Sequence, residues 1–136
     1  MDELLAGTRA SRCTLRLEVP DDFFPVAYEA LAPGAPSIRE ERTVDLRTAP
    51  VVRELLETGR QVVQDDCASA SDDPAFVRML GVYGGLAAQI VTPVFLDGRL
   101  AAIVSLHHLG APRRWNEEER ALAAGAGERV ADLLGA

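Results

Sequence analysis

Two long apolar segments separated by a two-residue turn constrain the fold of this chain more than any other feature. Leu86–Leu96 and residues 99–107 are each long enough to form a strand in the interior of a sheet. Asp97 and Gly98 join them, and this pair suits the positive φ angles of a tight hairpin turn. The sequence therefore predicts a central antiparallel hairpin.

Period-two alternation predicts a further strand at residues 12–19. Its apolar positions would contact the core and are Cys13, Leu15, Leu17 and Val19. Its polar positions would face solvent and are Arg12, Thr14, Arg16 and Glu18. After a turn at Pro20, residues 23–31 are predicted to return as a second antiparallel strand, which Pro25 restricts to an edge or a strand start.

The middle of the chain alternates irregular and regular segments. Residues 32–43 combine proline, glycine and charged residues without periodicity, which predicts an exposed loop. Thr48 is expected to cap a helix that has Pro50 in its first turn and ends before Gly59. A short strand is predicted at residues 61–64. A polar linker follows, and a second short helix is then expected to be capped by Asp72 or Asp73.

The C-terminal segment carries the clearest helix signal. Asn116 is followed three residues later by Glu119, which is the spacing of a capping box. Gly125 and Gly127 lower the intrinsic helix propensity and would let a neighbouring helix approach closely. Apolar side chains then recur at helical spacing, at Leu122, Ala126, Val130 and Leu133.

This order of elements indicates one α+β domain over residues 1–136, with an antiparallel sheet of five or six strands and helices packed on one face. The formal net charge of −7 opposes a nucleic-acid backbone, so no nucleic-acid partner is expected. No apolar run approaches the length that crosses a bilayer, and the acidic start is unlike a signal peptide. The predicted location is the cytoplasm, with no membrane contact.

Cysteine and histidine placement argues against a metal site. Cys13 and Cys67 lie far apart in the chain without a C-x-x-C motif, and both are expected to be reduced thiols. His107 and His108 are adjacent, and neighbours on a strand point to opposite faces of the sheet. No metal ligand set is predicted.

Several motifs from residue 58 onward, in their order, resemble the GAF family. They are GRQVVQDD at 59–66, DPAF at 73–76, TPVFLDGRL at 92–100, SLHH at 105–108 and RWNEEE at 114–119. The resemblance implies a fold related to PAS domains, with an antiparallel sheet of about six strands, helices behind it and a ligand pocket in front. It also implies binding of cyclic nucleotides, tetrapyrroles, haem or small metabolites, and dimerisation through terminal helices.

Leu80-Gly81-Val82 and the SLHH motif look most like the bilin-binding branch of phytochromes and their relatives. In that branch a Cys-His pair precedes the Gly-Val step, and the spacing puts Asp72-Asp73 at those positions here. A carboxylate cannot form the thioether of a bound bilin. The branch also implies an aromatic pocket residue and a pocket histidine, which fall on Phe76 and His107.

Four residues are candidate ligand contacts: Phe76, Arg78, Tyr83 and His107. Each has a structural alternative. Phe76 suits core packing, Arg78 suits a solvated helix surface, and the glycines beside Tyr83 suit a plain turn. His107 would orient a ligand carboxylate, coordinate haem, or pack between the sheet and the helices while His108 stays solvated.

The leading hypothesis is a bacterial, non-enzymatic sensory or regulatory domain of signal transduction with a small-molecule ligand. The sequence identifies neither that ligand nor a cofactor. One alternative is a ligand-free module that forms a homodimer through the terminal helices, with the apolar stripe of the C-terminal helix in the contact. Another alternative is an enzyme like the free methionine-R-sulfoxide reductases, with Cys67 as the reactive thiol.

Overall fold

The computed structural model describes residues 1–20 and 22–135, and its elements follow the order that the sequence predicts. The α-helices are α1 (Asp2–Thr8), α2 (Pro50–Thr58), α3 (Pro74–Val82) and α4 (Glu117–Leu134). The strands are β1 (Arg12–Leu17), β2 (Val26–Leu31), β3 (Val62–Gln64), β4 (Leu86–Leu96) and β5 (Arg99–Leu109). Within the described ranges, no helix is both long and apolar enough to cross a bilayer.

The strands form one antiparallel sheet in the order β2-β1-β5-β4-β3. The predicted hairpin is confirmed, because β4 pairs with β5 across Asp97 and Gly98, whose φ angles are 52° and 77°. Positive φ at both turn residues matches the twist of the flanking strands. The hairpin strands lie inside the sheet, with β2 and β3 at its edges.

Different parts of the chain cover the two faces of this sheet. The back face carries Cys13 and Leu106 and packs against α1 and α4. The front face carries Arg12 and His107 and lies under the segment between β2 and β4, which includes α2 and α3. The predicted α+β class is confirmed, with the terminal helices behind the sheet and two short helices over its front.

The polar face of β1 is buried, so the prediction that it faces solvent was wrong. Arg12, Thr14 and Arg16 are 0%, 1% and 7% exposed. Alternation identifies the strand correctly, but it assigns the polar side to water only when that side is uncovered. β1 and β2 are also shorter than predicted. β1 ends at Leu17, and β2 begins at Val26 because Phe24, where that strand was expected, takes a left-handed φ of 55°.

Two of the three predicted helix caps are confirmed. The Asp73 carboxylate accepts hydrogen bonds from the backbone N–H groups of Ala75 and Phe76. Asn116 and Glu119 form the complete capping box at the start of α4. Thr48 does not cap α2, because Ala49 is the N-cap residue and no side chain caps that helix.

One glycine of α4 lets the helix approach the sheet instead of another helix. A Cβ atom built on Gly127 would lie 3.0 Å from Thr92 Cγ2 on β4. The apolar stripe of α4 is divided. Ala126 and Val130 are buried between the terminal helices and the back face of the sheet, in what we call the back-face core, while Leu133 is 77% exposed.

Candidate functional site

A row of polar side chains crosses the front face beneath the covering segment. Arg12, His107, Gln89 and Gln64 are Cα partners on β1, β5, β4 and β3 in turn. The first three are buried, and Gln89 Nε2 donates to Gln64 Oε1 at 2.8 Å. Most buried sheet faces are apolar, so this row marks the front face as a candidate site.

Arg12 holds several parts of the site together through its guanidinium group. Nε and Nη2 lie 3.0 Å and 2.8 Å from His107 Nδ1. Nη1 donates to the Pro36 carbonyl at 2.8 Å, and Nη2 donates to the Tyr83 carbonyl at 2.7 Å. Arg12 therefore connects the loop after β2 and the end of α3 to the central strands through hydrogen bonds.

The contact with Arg12 determines the protonation state of His107. A guanidinium group has only donors, so Nδ1 must accept and the neutral imidazole carries its proton on Nε2. Burial lowers the pKa of His107 well below its usual range, and the charges of Arg12 and Arg16 act in the same direction. The Tyr83 ring stacks on this neutral imidazole, with centroids 5.6 Å apart.

Arg16 and Tyr83 form the second polar contact of the site. Arg16 Nη2 donates to Tyr83 Oη at 3.2 Å, and Nη1 donates to the Phe24 carbonyl at 2.9 Å. Burial raises the pKa of Tyr83, so the phenol keeps its proton and remains a donor. Among the residues described, no carboxylate lies within salt-bridge distance of Arg16, although Glu29 and Glu41 influence it from farther away.

A small cavity of about 40 Å³ lies between the polar side chains on the front face of the sheet and the segments that cover them, which are α2, α3 and the loop before α2. The polar residues along it are Arg16, Tyr83, Gln89, Ser105 and His107. The apolar residues along it are Leu46, Ala49, Val51, Val52, Met79, Val91 and Ile103. We call it the front-face cavity. It combines one cation and several hydrogen-bonding groups with an apolar wall.

A wider groove of about 940 Å³ adjoins the front-face cavity, and Arg16 and Leu46 line both. The groove runs between the β1–β2 turn and the loop before α2, and we call it the entrance groove. Its charges are mixed: Arg99 pairs with Glu18 at 3.0 Å, and Arg47 pairs with Asp45 at 3.4 Å. Arg16 and Leu46 therefore lie between the front-face cavity and the groove.

The structure brings together two of the four predicted contact residues. Tyr83 and His107 line the front-face cavity and stack on each other. Phe76 is 2% exposed in the front-face core and lies outside the cavity lining. Arg78 is exposed on α3 and reaches the Thr43 carbonyl at 3.5 Å. Ligand contact by Phe76 or Arg78 stays a prediction that this arrangement does not favour.

Four further site residues were not predicted from the sequence: Arg12, Arg16, Gln89 and Ser105. A signal was present, since two arginines lie four residues apart on one face of a predicted strand. Thr14 lies between them, and its buried Oγ1 has no hydrogen-bond partner within the described part of the chain. Polar side chains on a strand indicate a site only once both sheet faces are known to be covered.

The two cysteines lie on opposite faces of the sheet. Cys13 belongs to the back-face core and Cys67 to the front-face core, and both are fully buried. Burial raises the pKa of each thiol to about 12. These thiols are therefore protonated and shielded near neutral pH. In residues 1–20 and 22–135 there is no group of three metal-ligating side chains.

The buried His107 predicts a pH dependence of stability. In the unfolded chain this imidazole gains a proton below about pH 6.5, whereas the folded protein holds it neutral. The free energy of unfolding should therefore fall as the pH falls below about 6.5, by up to about 1.4 kcal/mol per pH unit. Urea unfolding of H107N should show less of this dependence than the parent. Burial also lowers the pKa of the part-exposed His108, but less, so H108N should keep most of the dependence, and equal profiles for both variants would contradict the assignment.

Comparison with known proteins places these features in context. The profile of the GAF domain family matches residues 1–134. No curated protein matches the chain.

Solved structures give the same picture of the fold. The GAF domain of the cyanobacteriochrome TePixJ has a TM-score of 0.79 at 23% identity, over 98% of this chain and 81% of that chain. A phycocyanobilin-bound GAF domain from a cyanobacterial phytochrome has a TM-score of 0.76 at 20% identity, over 98% and 79%. A domain assigned to a sensor histidine kinase of Sinorhizobium meliloti 1021 has a TM-score of 0.74 at 15% identity, over 98% and 85%. At these identities the likeness establishes a shared fold.

Proposed function

This chain belongs to the GAF domain family, and we propose that it is a regulatory domain that binds a small anionic molecule in the front-face cavity. The observation that carries the proposal is the buried cation beside that cavity. Arg16 is 7% exposed and has no carboxylate partner among the described residues. A buried charge without a counter-charge is unfavourable, and an anionic ligand would supply one.

A short series of contacts connects the site with the C-terminal helix. The Gln64 side chain joins the polar row, while its backbone carbonyl accepts from Trp115 Nε1 at 3.2 Å. Trp115 directly precedes Asn116, the N-cap residue of α4. We propose that occupancy of the cavity alters the position of α4 through these contacts, which would give the domain an output.

A binding role accounts for the buried thiols better than the reductase alternative does. Thiol chemistry requires a thiol that is accessible and deprotonated. Cys67 is buried, and burial also raises its pKa, so it meets neither condition. The phycocyanobilin named for one solved relative belongs to that protein; the ligand of this chain has to follow from its own residues.

A second candidate function is homodimerisation through α4. Leu122, Leu133 and Leu134 are 38%, 77% and 41% exposed, which favours it. Native mass spectrometry of the protein purified from its own host, with an absorption spectrum, separates the candidates. A co-purifying mass would support the regulatory proposal. A bare polypeptide at dimer mass that no metabolite panel changes would replace it with the dimerisation module.

A further inference from the structure

We propose that the ligand of the front-face cavity is a short-chain monocarboxylate, held by Arg16 and Tyr83 with its alkyl chain against the apolar wall. Acetate and propionate represent this class. The inference rests on the proposed function and specifies the ligand of that same site.

The size of the cavity sets the first condition. Its volume of about 40 Å³ is enough for about three water molecules. Pockets for drug-sized ligands have volumes of about 300–1,000 Å³. The cavity therefore suits a ligand of only a few heavy atoms.

The charge of the lining sets the second condition. Within the described part of the chain, Arg16 is the one charged side chain along the cavity, since His107 is neutral. Arg12 does not line it, and its guanidinium already bonds to His107, Pro36 and Tyr83. A single cation matches a monoanion. Arg16 already donates to Tyr83 Oη, so the phenol O–H is left to donate to a carboxylate.

The distribution of polarity sets the third condition. The polar groups belong to the sheet and to Tyr83. The apolar groups come from α2 (Val51 and Val52), from α3 (Met79) and from the sheet itself (Val91 and Ile103). A molecule with one charged end and one alkyl end satisfies both sides. Inorganic phosphate would place polar oxygens against the apolar wall, which is unfavourable.

A tetrapyrrole does not fit these residues. The front-face cavity is far below the size of such a chromophore, and the resemblance to bilin-binding domains places Asp72 at the position of the attachment cysteine. Cys67 is fully buried in the core, so it offers no accessible thiol for attachment. The front-face cavity therefore does not suit this ligand.

Isothermal titration of the whole chain with sodium propionate tests the proposal. Sodium chloride keeps the ionic strength constant, and neutral propionamide provides a matched control for charge. We expect saturable binding of propionate but not of propionamide. Arg16→Met should raise the dissociation constant at least about tenfold, which corresponds to one lost charged hydrogen-bond partner. Tyr83→Phe should raise it less. Arg60→Met, altered at an exposed arginine that lines neither the cavity nor the groove, should leave it unchanged.

Each result has a defined meaning. Propionate binding that persists in both Arg16→Met and Tyr83→Phe would overturn the inference, and Tyr83→Phe keeps the test valid if Arg16→Met fails to fold. Saturable binding of another small anion from a metabolite panel, lost in Arg16→Met, without any response to carboxylates would overturn the inference and leave the proposed function intact. Binding of biliverdin, followed by absorption, would overturn both, because this chromophore is too large for the front-face cavity. No binding of carboxylate, biliverdin or a metabolite panel, together with a bare polypeptide in native mass spectrometry, would overturn both.

Discussion

Replacing Arg12 by alanine should lower the free energy of unfolding by about 3 kcal/mol. The substitution removes the donors that serve His107 Nδ1 and the carbonyls of Pro36 and Tyr83. Each buried acceptor left without a donor costs about 1–3 kcal/mol, and the lost side-chain volume adds to this. Burial lowers the pKa of Arg12 to about 10, so removal of the charge offsets part of the loss.

Urea denaturation followed by circular dichroism measures this effect. Arg99→Ala is the matched control, because that arginine lies on the same sheet but its side chain is 70% exposed. Its free energy of unfolding should stay within about 0.5 kcal/mol of the parent. If Arg12→Ala were as stable as Arg99→Ala, the conclusion that Arg12 connects the loop after β2 and the end of α3 to the central strands would be wrong.

Replacing Gly127 by leucine should destabilise the protein by about 3 kcal/mol through overpacking. Even a Cβ atom at this position would lie 3.0 Å from Thr92 Cγ2 and 3.8 Å from Val94 Cγ2. The remaining carbons of leucine would occupy space that β4 already fills. The gain in helix propensity, about 1 kcal/mol, offsets only part of this.

Gly125 provides the control within the same helix. A Cβ atom there would come no closer than 3.7 Å, to Arg129 Nη1 at the end of a flexible side chain. Gly125→Leu should therefore leave thermal stability unchanged or raise it. Equal melting temperatures for the two leucine variants would show that α4 does not approach β4 as closely as described.

The sequence predicted the fold well because the decisive signals were local. The Asp97-Gly98 turn, the capping box at Asn116 and the cap at Asp73 depend on residues within a few positions of each other. Thr48 failed as a cap, because a suitable side chain close to a helix start need not occupy the N-cap position itself.

The site was predicted only in part because it depends on pairing between distant residues. His107 was identified from the SLHH motif and Tyr83 from the glycines around it, but Arg12 lies 95 positions from the histidine that it contacts. The strand order β2-β1-β5-β4-β3 brings these residues together, and no local pattern encodes that order. The same pattern of alternation that located β1 assigned its arginines to solvent.

Arg16 has no carboxylate partner among residues 1–20 and 22–135, and this also bears on how the domain responds to selection. Unlike Arg12, it satisfies few acceptors, so an apolar side chain in its place would relieve the unfavourable burial of a cation. A variant library screened only for heat resistance would enrich such replacements and discard recognition of the anion. Engineering of this scaffold should therefore select for occupancy and robustness together, because the two demands conflict at position 16.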